Sequence, residues 1–309
     1  MAAEMSAREV ALDAAWLPHA FGPDGQHLTA VFVPRELRAN LLFLSDGQFR
    51  GAFRKATFAA ESLASACVAA PKAPIHFIFN TSFCCSTLLA NALDAPGLSA
   101  SLREPNILVN VAERLIGDPM LGNAELELAL RMLERPLATG EQVIVKPSNF
   151  ANRLLEPVLE LRPESRAVLL YSDAATYLRS IVKRGLVARI NARKLYQNAA
   201  SWTSLDFGFS GEDAFRQTDL QIAALAWLVQ SPISRPWRTA SVRNAPWLSM
   251  QPICSPIQRA CCIGSSSFSA SAWASGGSRR SWADQSSRST ASSLTSITTN
   301  ARASAITKR

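Results

Sequence analysis

"FIFNTSFCCSTLLANAL", residues 77–93, is the stretch whose reading decides the fold. Its first residues complete the apolar run IHFIFN at 75–80, a pattern that fits a short strand buried on both faces. The segment STLLANALD that follows sets Leu88, Leu89, Ala92 and Leu93 on one face of a helix. Between strand and helix lie small hydroxyl and thiol residues, Thr81, Ser82, Cys84, Cys85, Ser86 and Thr87, interrupted by Phe83. A tight loop between a strand and a helix can turn several backbone N–H groups toward one anion. Ser86 and Thr87 also suit a simpler role as helix caps. Cys84 and Cys85 suit either packing or thiol chemistry at a helix start.

Outward from this stretch, strand and helix signals alternate over residues 74–230. LSASLREP (98–105) reads as a second short strand, and NILVNVAERLIG and NAELELALRMLERP read as helices. QVIVKP (142–147) is a strand of alternating β-branched residues. Ser148 or Asn149 can then cap the helix FANRLLEPVLELRP. RAVLLY (166–171) is a buried strand, and Asp173 can cap the helix AATYLRSIVKRG, which stops at Gly185. Two more helices follow, around ARKLYQNAASW and FRQTDLQIAALAWLVQ. Such alternation predicts an α/β fold, a three-layer sandwich with a parallel sheet between helices.

Residues 1–73 form an α+β extension to this core. HLTAVFVPRELRANLLFLSDG (27–47) reads either as a hairpin or as a strand and a helix, and GAFRKATFAAESLASACVAA (51–70) reads as helical. The proline-flanked PKAP at 71–74 separates it from the core.

Residues 231–309 differ in kind. Serine fills 20 of these 79 positions, glutamate is absent, and neither a helical nor a strand period is visible. Four of the seven tryptophans nevertheless fall here. The segment reads as a low-complexity tail or as an out-of-frame translation, either of which leaves the sheet without a further strand. It also concentrates the charge: residues 1–230 hold 22 Lys and Arg against 23 Asp and Glu, whereas 231–309 hold 10 against Asp284 alone. Nucleic-acid binding is therefore expected only through the basic tail.

The six cysteines include two adjacent pairs and no C-x-x-C, and the three histidines are dispersed, so neither a disulfide framework nor a metal site is expected. No apolar run approaches the ~20 residues of a membrane span, and no signal peptide is read at the N-terminus. A cytoplasmic protein without membrane partners is the expectation.

The loop at Asn80–Thr87 lacks the glycines and lysine of an ATP-binding loop. It resembles instead the 5′-phosphosulfate loop of sulfotransferases, in the form found in bacterial sulfotransferase-like proteins whose loop reads S-T-L-L. Ser86 and Thr87 match that family's two threonines and Leu88–Leu89 the start of its helix, while Phe83 stands at its lysine, Cys84 at its serine and Cys85 at its glycine. The family also places an Arg after a strand and a Ser eight residues later to hold a 3′-phosphate; here Ser172 and Ser180 occupy those positions, with Arg179, Lys183 and Arg184 on the same helix. The resemblance covers residues 74–185. It implies a P-loop fold, 3′-phosphoadenylyl sulfate as co-substrate, and transfer of a sulfuryl group to a hydroxyl or amine of an unknown acceptor. It assigns the cofactor to Thr81, Ser82, Cys84, Cys85, Ser86, Thr87, Ser172, Ser180 and Arg184. Glu104 is the candidate base or a salt-bridge partner, Arg103 a candidate contact to a substrate anion, and Lys146 and Asn149 lie at the same sheet edge. The alternative is a nucleotide-binding or interaction module without turnover.

Overall fold

The computed structural model describes residues 5–49, 53–117, 122–200, 207–230 and 248–250. The chain opens with a short helix, α1 (Ala7–Leu12), capped by Ser6, whose side chain and that of Glu9 bond each other's backbone N–H. Strands β1 (Trp16–Phe21) and β2 (His27–Phe32) pair antiparallel, helix α2 (Arg35–Asn40) follows, and β3 (Lys55–Ala59) adds to β2 to close a three-stranded sheet before helix α3 (Ala60–Cys67). Residues 27–47 thus hold a strand and a helix. The helical reading of 51–70 holds only from Ala60. Lys55–Ala59 is instead a strand, because β2 presents an open edge whose unpaired backbone groups it satisfies. Its exposure alternates between exposed and half-buried, so its alanines and lysine leave no strong apolar period to read.

The core element is β4 (Ile75–Asn80), in which all six residues are buried. It is followed by α4 (Ser86–Ala92), β5 (Ser99–Arg103), α5 (Asn106–Gly117), α6 (Gly122–Leu133) and β6 (Gln142–Lys146). Then come the 3₁₀ turn Asn149–Leu154, α7 (Leu155–Leu161), β7 (Ala167–Leu170), α8 (Ala174–Arg184), α9 (Leu186–Ala200), α10 (Gly211–Arg216), α11 (Asp219–Gln230) and β8 (Leu248–Met250). The second sheet has the order β5-β6-β4-β7-β8, and every pairing in it is parallel. Helices occupy each crossover, as a parallel sheet requires. The protein is therefore α/β, an arrangement consistent with a three-layer sandwich. Helix α8 is capped by Asp173, whose carboxylate accepts from the Thr176 N–H at 2.9 Å, and stops at Gly185 with φ of 71°.

Phe77 and Ile78 are fully buried in β4, and the cluster around Phe77 runs from Val10 and Trp16 to Val158 and Ala167. The N-terminal elements and the parallel sheet thus share one core; deleting a ring such as that of Phe77 would cost about 3–5 kcal/mol. A smaller cluster, around Tyr177, Ile181, Ala188, Ala192 and Ala223, joins α8, α9 and α11.

Most of residues 231–309, and with them the expectation of a low-complexity or out-of-frame tail, lie outside the described residues. The described exception departs from the expectation of no further strand: Leu248–Met250 pairs with Val168–Leu170. Three residues are too few to display a period, and the open edge of β7 supplies the hydrogen bonds that define them. Among the described residues no helix is long and apolar enough to cross a membrane.

Candidate functional site

Strand order fixes where a ligand can approach. The chain leaves β4 toward β5 on one side and leaves β7 toward β8 on the other, so the strand order reverses between β4 and β7. Ligands in open α/β sheets bind at such a reversal. The loop after β4 sits there, and both flanking strands pin it. Asn80 donates from Nδ2 to the Pro147 carbonyl at 3.1 Å, and the Thr81 N–H donates to the Leu170 carbonyl at 3.1 Å. Asn80 Oδ1 accepts from the Ser82 N–H at 3.1 Å, and its carbonyl accepts from Asn152 Nδ2 at 2.9 Å.

Beyond this anchor the backbone winds the other way. Ser82, Phe83 and Cys85 have φ of 67°, 50° and 63°, the left-handed region that residues with a Cβ avoid at a cost of about 1–2 kcal/mol each. Alternation of left- and right-handed residues turns successive N–H groups inward. The amides of Phe83 and Cys84 donate to no acceptor among the described residues. Thr81 Oγ1 is buried and also lacks a partner there.

The capping interpretation of the two hydroxyls does not hold: the residue at the cap position is Cys85, with no side-chain cap bond, and Ser86 is the first residue of α4. Ser86 is buried with its hydroxyl against the Cys84 sulfur, while Thr87 is half-buried. A reactive thiol is not supported at Cys84 either. Its Sγ lies 3.4 Å from the Leu170 carbonyl, and burial pushes its pKa up, outweighing the bonds from Ser86 and Thr81 and the charge of Lys146.

Glu104 and Lys146, far apart in sequence, are joined by register. Arg103 pairs with Lys146 across β5 and β6, the Glu104 N–H donates to the Lys146 carbonyl at 2.6 Å, and Lys146 Nζ forms an ion pair with Glu104. Lys146 is almost wholly enclosed, with its Nζ 5.5 Å from the centre of the Phe43 ring, while the Glu104 side chain keeps 21% of its surface exposed. Glu104 too is left-handed, with φ of 51°. Arg103 does not reach outward as a substrate contact: it is buried, bonded to Asn91 and to the Arg38 carbonyl.

The residues assigned to a 3′-phosphate are not brought together. Ser172 is completely buried, its hydroxyl without a partner among the described residues and its carbonyl accepting from the Trp227 indole at 2.9 Å. Ser180 turns back on its own helix, donating to the Thr176 carbonyl at 2.9 Å, and Arg179 likewise bonds Ala175. Arg184 differs. It lines a cleft of about 310 Å³ that Ser82 and Phe83 border on one side and Asn149 on another. Its guanidinium carbon lies 5.9 Å from the centre of the Phe83 ring, and that ring packs on Tyr177 at 5.7 Å. Phe83 therefore ties the loop to α8. Asn149 is the first residue of the 3₁₀ turn, and its side chain donates to Gln230 at 2.9 Å. Ser148 occupies the cap position without a side-chain bond.

Sequence reasoning missed Tyr177, whose phenol pKa burial raises to about 12 and which therefore stays protonated. An aromatic within a helical period carries no signal that distinguishes a cleft wall from core. No group of His, Cys, Asp and Glu among the described residues could hold a metal ion. No family model matches the chain, and neither a curated protein nor a solved structure does.

Proposed function

We propose that this chain is a sulfotransferase-like protein that binds 3′-phosphoadenylyl sulfate at the loop between β4 and α4 and transfers its sulfuryl group to a hydroxyl or amine. One observation carries the reading: a loop with Ser82, Phe83 and Cys85 left-handed, in which the Phe83 and Cys84 amides meet no acceptor among the described residues, at the point where the parallel sheet reverses its order. The orphaned Thr81 hydroxyl fits an anionic group there as well. Because α4 is only seven residues long, the loop amides and not its helix dipole are the main attraction for an anion.

The co-substrate would supply an activated sulfuryl group on a phosphate leaving group. The amides of Phe83 and Cys84 would hold the phosphate, with the hydroxyls of Thr81, Ser86 and Thr87 around it. Glu104 is the base: it takes the acceptor's proton as the acceptor oxygen or nitrogen bonds to sulfur and the bond from sulfur to the bridging phosphate oxygen breaks. Lys146, paired with Glu104 before the reaction, is the cation available to the departing phosphate once Glu104 is protonated. In the described residues the Lys146 charge is already neutralised by Glu104, which favours, as a second reading, nucleotide binding without turnover.

Titration calorimetry with adenosine 3′,5′-bisphosphate tests the binding step. Micromolar binding without magnesium is expected, weakened at least about tenfold by Thr81→Val, whose lost hydrogen bond to a charged group is worth about 1.5–3 kcal/mol. Binding of ATP with magnesium and not of the bisphosphate defeats the reading. Bisphosphate binding with no sulfated product from any acceptor selects the second one.

A further inference from the structure

We propose that the cleft beside the loop binds a small ring-bearing apolar molecule that carries one carboxylate, with Arg184 holding the carboxylate. The cleft's volume, about 310 Å³, lies at the small end of ligand sites, which span about 300–1,000 Å³. It has room for one compact molecule and not for a whole nucleotide beside it. Its wall is apolar on the α8 and α9 side, where Ile181, Val187, Ala188, Ala192 and Leu195 contribute, and aromatic at Phe83, Phe150 and Tyr177. Rings fit such walls because they gain offset or edge contacts beyond simple burial.

The polar groups are few and of one sign. Among the described lining residues there is no Asp or Glu, and Arg184 is the one cation. The neighbouring helix treats its arginines differently: Arg189 and Arg193 share Asp219, at 3.9 and 2.8 Å. Arg184 has no carboxylate partner among the described residues, and its guanidinium rests over the Phe83 ring. The planar guanidinium fork offers a carboxylate two parallel N–H bonds. A bound carboxylate would thus complete Arg184 while the ring replaces water against the apolar wall. Asn149 and Asn191 supply amides at the cleft for a hydroxyl on the same molecule. The lining carries this inference by itself; identifying the bound molecule as the acceptor rests on the transferase reading above.

The test uses the full chain and two probes that differ only in charge, 4-hydroxyphenylacetate and 4-hydroxyphenylacetamide, followed by ligand-observed NMR and calorimetry. The acid is expected to bind about tenfold more tightly than the amide, the gain of one charge-assisted pair. Arg184→Gln should abolish that difference. Lys183→Gln removes the same charge from an exposed neighbour outside the cleft lining and should preserve the difference. Lys183→Gln should also bind adenosine 3′,5′-bisphosphate as the parent does. Equal binding of acid and amide, binding of neither, or an Arg184→Gln variant that weakens the bisphosphate while sparing the acid overturns the proposal. A parent chain that binds the acid and not the bisphosphate leaves this proposal standing and defeats the transferase reading.

Discussion

Arg135 and the far end of β4 are both polar and both buried, yet their hydrogen bonding differs. Arg135, at 3% exposure, donates from Nε to Met132 at 2.7 Å and from Nη1 to Val10, Ala11 and Asp13 at 2.6, 2.9 and 3.1 Å, all to carbonyls. Its Nη2 donates to the Trp16 carbonyl. Burial lowers its pKa to about 10, which leaves it charged at neutral pH. One side chain thereby satisfies the C-terminal end of α1 and the start of β1 from the end of α6. At the end of β4 the sign is reversed: Thr81 Oγ1, Ser172 Oγ and Asn152 Oδ1 are buried without partners among the described residues, and three residues of the loop are left-handed. A region optimised for folding closes its hydrogen bonds. A region that leaves groups open and backbone strained gives up stability, the usual mark of a place where something binds.

The comparison can be broken most forcefully at Arg135. Arg135→Met removes the donor from several enclosed carbonyls, so a loss of about 3–5 kcal/mol is expected in urea denaturation. Arg135→Lys should recover little, because an ammonium cannot reproduce the planar fork. A loss below about 1 kcal/mol would mean that the carbonyls find other donors, and the contrast with β4 would disappear.

Glu104 and Lys146 sit between the two regions, paired but at the edge of the candidate site. Glu104→Gln leaves the enclosed Lys146 without its counter-charge and should cost about 2–4 kcal/mol. Adding Lys146→Met to that variant should restore at least half of the loss, since two neutral side chains then replace an uncompensated cation. No recovery in the double variant would show that Lys146 contributes by packing on Phe43 more than by charge.

The smallest effects are expected at the orphaned hydroxyls. Ser172→Ala deletes a buried oxygen that has no partner among the described residues, so thermal unfolding should rise slightly, by the equivalent of about 1 kcal/mol. A clear loss of stability would reveal a partner for Ser172 and make the end of β4 as closed as the Arg135 cluster.

Local chemistry was legible in the buried strands and at α8, but not at α4 or the 3₁₀ turn, where no side chain makes a cap bond. The run IHFIFN is β4 residue for residue, QVIVK is β6, AVLL is β7, and Asp173 and Gly185 bound α8 as their side-chain and backbone preferences require. A strand buried on both faces announces itself by continuous apolar character, and a cap by an oxygen next to free N–H groups. The reading weakened where a partner strand decides. Lys55–Ala59 and Leu248–Met250 are strands because open edges accept them, and nothing within five or three residues encodes that.

Of the candidate site, the sequence by itself determined the loop: its place after an apolar strand, its hydroxyls and thiols, and the absence of lysine. The tertiary structure decided what those residues face. It sealed Ser172 under Trp227, turned Ser180 onto its own helix, put Arg103 inside, and set Arg184 over Phe83 at a cleft. It also joined Glu104 to Lys146 through the register of β5 against β6. The reason is one of range: propensity and capping act over about one helical turn, whereas burial and charge pairing depend on which strands lie side by side, and that is settled only when the whole core closes.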